Sequence, residues 1–332
     1  MTTPDAGPAP VPAANPVPEV VTVGEAMAAL RATRPIRLAP PMELSVAGAE
    51  SNVAICLARL GHRTAWVGRV GADPFGALIL RTLRAEGVDT SHARTDTQGR
   101  PTGLLVREDG IGDLATVHYY RDRSAGSALH PDDVLPALHP GTRILHLTGI
   151  APALGPTAAQ AVLAAATRAR ELGTTVCLDV NHHARLWAHH QARQVLLPLA
   201  RHADILIASA DELHLVADDP ADDEDHAVTA LLAQGTREVV LTRGGNGASI
   251  TTADGTHHAP ARRVPVVDVI GAGDAFVAAY LSGVLDNLTT EQRLHRATAT
   301  AAFAVATRGD WEGLPTRTDL ALLDTPAGTT LR

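Results

Sequence analysis

Residues 268 to 274 read Asp-Val-Ile-Gly-Ala-Gly-Asp and run into Ala275-Phe276-Val277-Ala278-Ala279-Tyr280-Leu281, an apolar stretch of helical character. Gly271, Ala272 and Gly273 are small enough for a ligand to come up against their backbone. At the start of a helix their N–H groups meet an anion with the favourable end of the helix dipole. Asp274 closes the turn. A carboxylate there can accept the proton of a substrate hydroxyl while the amides hold the phosphoryl group that the hydroxyl attacks. Taken alone, a Gly-x-Gly that merely caps a helix fits these residues as well.

The chain contains no lysine, so all 28 residues of its Lys+Arg count are Arg. That excludes a Walker A Gly-Lys-Ser/Thr, a protein-kinase lysine and a Schiff-base lysine. A phosphotransferase built on this chain must stabilise charge with backbone amides, Arg and a metal ion. A formal charge of -8 argues against a nucleic-acid or anionic-membrane surface. Cys56 and Cys177 are too few for a disulfide framework and lack metal-ligand spacing, which points to a cytoplasmic protein. The adjacent pairs His182-His183, His189-His190 and His257-His258 have no zinc spacing either.

The 332 residues, 45% hydrophobic and 19% charged, suffice for one large domain. Residues 1–18, rich in Pro and Ala, predict a disordered tail with no signal-peptide character. One domain is expected over 19–325, with a short tail over 326–332. Strands are expected at Val20-Val23, Thr64-Val70, Arg143-Leu147, Val176-Val180, Ile205-Ala208 and Val239-Thr242. Helices are expected at Ser51-Leu60, Phe75-Ala85, Thr157-Glu171, Asp225-Leu232, Ala272-Leu285 and Thr290-Thr307. This alternation predicts an α/β fold with a mainly parallel central sheet and ligands at the carboxyl ends of its strands. Segments near 31–47 and 99–121 carry alternating stretches with no helix between neighbours, so they predict a small antiparallel β-sheet as a lid over the site.

The 268–274 segment resembles the C-terminal signature of the PfkB (ribokinase-like) carbohydrate kinases, Asp-Thr-x-Gly-Ala-Gly-Asp, with Val269 in place of Thr. The likeness extends over nearly all of residues 20 to 320. Ala47-Gly48-Ala49-Glu50-Ser51-Asn52-Val53-Ala54 is similar to the sugar-binding segment, and Val67 to Gly76 to the first signature. The resemblance implies a ribokinase-like sandwich, Asp274 as catalytic base and residues 271 to 273 as the anion hole. It also implies Gly48 and Asn52 at the sugar, ATP and Mg2+ as cofactors, and a homo-oligomer; it leaves a monovalent cation open.

On the nucleotide side, Ser209-Ala-Asp-Glu212 resembles a divergent Asn-x-x-Glu, which implies Glu212 acting on the metal through water. A helix-opening acid fits Glu212 too. Thr242-Arg243-Gly244-Gly245-Asn246-Gly247 is similar to the nucleotide loop, which makes Thr242, Arg243, Gly244 and Gly247 candidates at the phosphates. A hairpin turn explains its Gly-Asn-Gly as well.

Tyr119-Tyr120-Arg121, His146 to Pro152 and Arg308 to Pro315 are similar to segments of 2-keto-3-deoxygluconate kinases. That likeness implies a sugar-acid substrate phosphorylated on its terminal hydroxyl, with Tyr119 and Arg121 at the sugar and Arg121 reading the carboxylate. Two positions depart from the pattern. His183 stands where a substrate-binding Arg is usual, with Arg185 two residues on, and Leu105 where a Tyr can face the sugar. Ala28 stands about where fructokinases and ribokinases place a sugar-binding Asp, which disfavours neutral sugars. Other readings are a fructokinase, a 5-keto-2-deoxygluconate kinase or a sugar-binding protein without catalysis. A Rossmann dehydrogenase lacks its Gly-x-Gly-x-x-Gly here.

Overall fold

The parallel strands of the large sheet are rich in Val, Ile and Leu and almost wholly buried, so they must be covered on both faces. The computed structural model, which describes residues 17–109, 115–218 and 223–324, places them between two layers of helices. In chain order the strands are β1 (Val20–Val23), β2 (Met27–Ala32), β3 (Met42–Ala47), β4 (Thr64–Val67), β5 (Arg69–Val70), β6 (Arg94–Thr95) and β7 (Leu104–Asp109). There follow β8 (Ala115–Tyr120), β9 (Ile144–Thr148), β10 (Thr175–Asp179), β11 (Ile205–Ser209), β12 (Glu238–Thr242), β13 (Ala248–Thr252) and β14 (Gly255–Ala259). The helices are α1 (Ala49–Arg59), α2 (Pro74–Ala85), α3 (Pro131–Val134), α4 (Ile150–Ala153), α5 (Pro156–Glu171), α6 (His189–Ala200), α7 (Glu224–Ala233), α8 (Ala272–Leu285) and α9 (Thr290–Val305).

Eight strands form the main sheet in the order β14-β13-β12-β11-β10-β9-β1-β4. The pairs from β12 to β4 are parallel, and β13 and β14 add an antiparallel edge. The chain leaves β1 toward β4 on one side and later fills β9 onward on the other. The carboxyl ends of β1 and β9 therefore flank the point where strand order reverses, the usual place for a ligand crevice. One apolar core lies under α5, α6 and α7, the other under α1, α2, α8 and α9. Helix α8 is apolar nearly all round and is buried from Ala275 to Gly283, so its first turn is held rigidly.

The small sheet pairs β3-β2-β7-β8, with β2 and β7 parallel and the outer pairs antiparallel. This is the expected small sheet, except that it begins at Met27, ahead of residue 31, and that its central pair is parallel where an all-antiparallel sheet was expected. Three further differences from expectation have local causes. The run Thr64-Val70 splits at Gly68, where a side chain would collide with the Gly24 carbonyl and the Trp66 ring. The edge strands β13 and β14 were not expected, because β14 is largely exposed and has no apolar alternation to betray it. Helix α6 was missed because Pro198 lies inside it, a residue that reads in a sequence as a stop. The tails expected over 1–18 and 326–332 fall, but for Val17 and Pro18, outside the described residues. No helix among the described residues is long and apolar enough to cross a membrane.

Candidate active site

A cavity of about 300 Å³ lies between the carboxyl ends of the central strands and the underside of the small sheet. Gly48, Asn52, Tyr119, Arg121, His183, Gly271, Gly273 and Asp274, expected from sequence to form one site, all line it. Gly271 is the N-cap of α8 in the left-handed region (φ 76°), and a side chain there would strike the Asp310 carbonyl oxygen. Only glycine meets both demands. At Gly273 an added Cβ would meet nothing within 4 Å, so the space above its backbone lies open to a ligand. Ala272 does not line the cavity; its side chain packs on the core beneath. Gly48 (φ 152°) likewise has no room for a side chain, because Glu25 O and Ser51 Oγ fill that place.

Asp274 stands in the first turn of α8, and Asn52 Nδ2 donates to its Oδ2 at 2.7 Å. Burial lifts the Asp274 carboxyl above its ordinary range, and the Asn52 hydrogen bond partly offsets that. Sequence reasoning placed Asn52 against the sugar alone. It also orients the Asp274 carboxyl, and among the described residues its Oδ1 has no hydrogen-bond partner.

Four further polar residues on the wall were not singled out from sequence: Glu25, Glu50, Asn181 and Asp310. Burial pushes the Glu50 carboxyl up to about 7 against the opposing hydrogen bond from Thr148. Asp310 is also raised to about 7, by burial first and the nearby Glu312 charge second. Asp179, hydrogen-bonded by Asn181, is raised well above its usual value by burial and by Glu212. Sequence reveals that these residues are acids. It does not reveal that their carboxyls are dry, because that follows from long-range packing.

Arg121 has a partner that its place in the sequence does not reveal. It lines the cavity, but Glu25 already holds it: Arg121 Nε donates to Glu25 Oε2 at 2.7 Å, and Nη2 lies 2.5 Å from the same oxygen. Ser124 Oγ donates to the other oxygen. Glu25 is 1% exposed, so the pair is a buried one that a substrate carboxylate would have to share. Ala28 also differs. It faces away from the cavity, while Met27 and Ala29, on the other face of β2, pack with Ala47 and Leu105 in the lid's own apolar cluster.

His183 lines the cavity as expected, yet burial and then the Arg121 charge hold its imidazole below the ordinary value. The imidazolium is thus disfavoured in the ligand-free protein. Arg185 Nη1 is bound to Val117 O at 2.7 Å and is outside the cavity lining. We expect His183→Ala to raise the substrate KM about fivefold, the worth of one neutral hydrogen bond of about 1 kcal/mol. Plots of KM against pH for wild type and His183→Ala should share one slope; a pH dependence that disappears in the variant would show that the imidazolium is the contact.

The expected nucleotide residues form a second group, at the carboxyl ends of the neighbouring strands β11 and β12, outside the cavity lining. Ser209 caps the 3-10 turn Ala210–Leu215. Glu212 Oε2 accepts from Ser209 N and Oγ, each at 2.8 Å, and its Oε1 accepts from His182 N at 2.6 Å. The helix-opening role expected as the alternative is thus present in full. Thr242 ends β12, and the turn Gly244–Asn246 leads into antiparallel β13, so the hairpin reading of Gly-Asn-Gly holds. Gly244 (φ 52°) has open space where a side chain would project, whereas Gly247 (φ 91°) abuts the Ala259 carbonyl. Arg243 pairs with Glu224 of α7, with Nη1 2.9 Å from Oε2. No cluster of His, Cys, Asp and Glu able to hold a metal ion exists among the described residues.

A doubly covered α/β sheet, a β lid and a helix N-terminus carrying glycines and an acid define a ribokinase-like phosphotransferase fold. The chain belongs to the pfkB family of carbohydrate kinases, whose model matches residues 17–317. It is 35% identical over 308 residues to the 2-dehydro-3-deoxygluconokinase of Bacillus subtilis (strain 168), covering 91% of this chain and 94% of that protein. It is 34% identical over 306 residues to the 2-dehydro-3-deoxygluconokinase of Thermoproteus tenax, covering 89% and 91%. The crystal structure of 2-dehydro-3-deoxygluconokinase from Thermotoga maritima superposes with a TM-score of 0.82 at 26% identity, covering 92% of this chain and 99% of that one.

Proposed function

We propose that this carbohydrate kinase transfers the γ-phosphoryl group of ATP to the terminal hydroxyl of 2-keto-3-deoxygluconate. The observation that carries the reading is that one cavity joins Asp274 and the Gly271–Gly273 turn to the guanidinium of Arg121. The likeness to two 2-dehydro-3-deoxygluconokinases supports the same substrate. Asn52 and the Gly48 backbone would orient the sugar, with Tyr119 and His183 beside it. The substrate carboxylate would share Arg121 with Glu25.

As the hydroxyl oxygen bonds to the γ-phosphorus, its proton passes to Asp274; the bond from that phosphorus to the bridging oxygen breaks and ADP leaves. Amides of the 271–273 turn would hold the transferring oxygens. Lid closure would exclude the water that competes for the phosphoryl group. Mg2+ arriving with ATP would supply charge neutralisation. Glu212 suits a contact to it through water only, since its oxygens already accept three hydrogen bonds. Thr242, Arg243 and Gly244 would lie toward the nucleotide.

The Glu25–Arg121 pair favours a second reading. A guanidinium already neutralised could line a site for an uncharged sugar, as in a fructokinase. A coupled ADP-release assay over sugar acids, including 2-keto-3-deoxygluconate and 5-keto-2-deoxygluconate, and neutral sugars separates these. Turnover that is highest with 2-keto-3-deoxygluconate supports the proposal; preference for a neutral sugar overturns it.

A further inference from the structure

We propose that Arg31 and Arg107, neighbours on the small sheet, are positioning residues that hold the 268–273 turn in the shape phosphoryl transfer needs. This rests on the kinase reading above. The two arginines are directly paired across β2 and β7, and each is 7% exposed. Neither lines the cavity. Each reaches instead into the loop structure beneath the lid, and each ends on an acid that organises the turn.

Arg107 Nη1 lies 2.5 Å from Asp268 Oδ2. The same oxygen accepts from Gly309 N at 3.1 Å, and Oδ1 accepts from Ile270 N at 3.1 Å, one residue before Gly271. Asp268 is therefore the hub that sets how the chain enters the anion hole, and Arg107 supplies its counter-charge. Arg31 is bound to Glu312, which Ser45 Oγ on β3 also reaches at 2.6 Å. Trp311 Nε1 donates to Val46 O on the same strand at 3.0 Å. These contacts fix the segment 309–312, and the Asp310 carbonyl of that segment abuts Gly271. Two paths thus run from one sheet to one turn: a short one from Arg107 through Asp268, and a longer one from Arg31 through Glu312 and Asp310. The Arg308 to Pro315 segment, noted in the sequence for its likeness to 2-keto-3-deoxygluconate kinases, acquires a physical task as the middle of the second path.

A buried ion pair contributes little net stability compared with apolar packing, so its presence fits a role in fixing geometry. Displacing donors by 1 Å from the reacting group can cost about 10²-fold in rate. We expect Arg107→Ala to lower kcat by about that factor with little change in sugar KM, and Arg31→Ala to give a smaller loss.

The test uses the full chain. Added guanidinium ion should restore part of the kcat of Arg107→Ala, while urea, similar in shape but uncharged, should not. Hydrogen exchange of the amides in a peptide spanning 266–276 should quicken in Arg107→Ala and slow again with guanidinium. Should Arg107→Ala fail to fold, Arg107→Lys keeps a charge without the fork and should show the same pattern more weakly. An unchanged kcat overturns the proposal, as does a loss that tracks only the folded fraction, ignores guanidinium and leaves exchange unaltered. If the wild type turns over no sugar, the kinase reading fails, and the exchange measurement alone decides whether Arg107 holds the turn.

Discussion

Asp274→Asn should bind ATP as the wild type does and lose about 10²- to 10⁴-fold in kcat, because it keeps the shape of the side chain and removes the proton acceptor. Asn can still receive the Asn52 Nδ2–H on its carbonyl, so the first turn of α8 is not disturbed. As the proposed base, Asp274 would work only when ionised. Since burial raises the Asp274 carboxyl, the wild-type rate should fall with decreasing pH at a point above the usual carboxylate range. Asn52→Ala removes the bond that favours the carboxylate, so it should move that acid limb to still higher pH. The buried carboxyls Glu50, Asp179 and Asp310 feel the Asp274 charge and broaden the limb, so kcat against pH is best compared among variants. An Asp274→Asn enzyme that keeps most of its kcat at saturating substrate would remove Asp274 from the mechanism.

The parts of this site legible in sequence are those where chemistry and backbone constraint coincide locally. Gly271 needs a left-handed φ and a bare Cα, and Asp274 follows at fixed spacing on the same turn, so seven consecutive residues carry the whole motif. Gly48 and Asn52 are likewise set by one loop and one helix. What sequence could not supply was pairing across long separations. Arg121 finds Glu25 96 residues away, and Arg107 finds Asp268 161 residues away. Reading Arg121 in isolation makes it a free cation; folding gives it a partner. For His183, desolvation first and the Arg121 charge second disfavour the imidazolium, and neither can be read from its local sequence. The edge strand β14 was missed because an exposed antiparallel edge need not carry an apolar pattern.

Arg121→Ala should act on two quantities at once, and separating them decides whether Arg121 reads a carboxylate. Losing a charge-assisted contact costs roughly 1.5–3 kcal/mol, so KM for 2-keto-3-deoxygluconate should rise about 10- to 100-fold, far more than for any neutral sugar that is turned over. The same change strands Glu25, which is buried and keeps the Ser124 hydroxyl as a side-chain donor, and breaking such a pair costs about 3–5 kcal/mol of stability. A KM effect from the single variant could therefore come from a loosened lid. The double variant Glu25→Gln with Arg121→Met removes both charges while keeping similar volumes, and replacing a whole buried pair is often neutral for stability. It should recover most of the lost Tm yet keep the high KM for the acid. If KM for the acid returns with Tm, or if acidic and neutral sugars suffer equally in Arg121→Ala, then the Glu25–Arg121 pair braces the lid and the carboxylate is bound elsewhere.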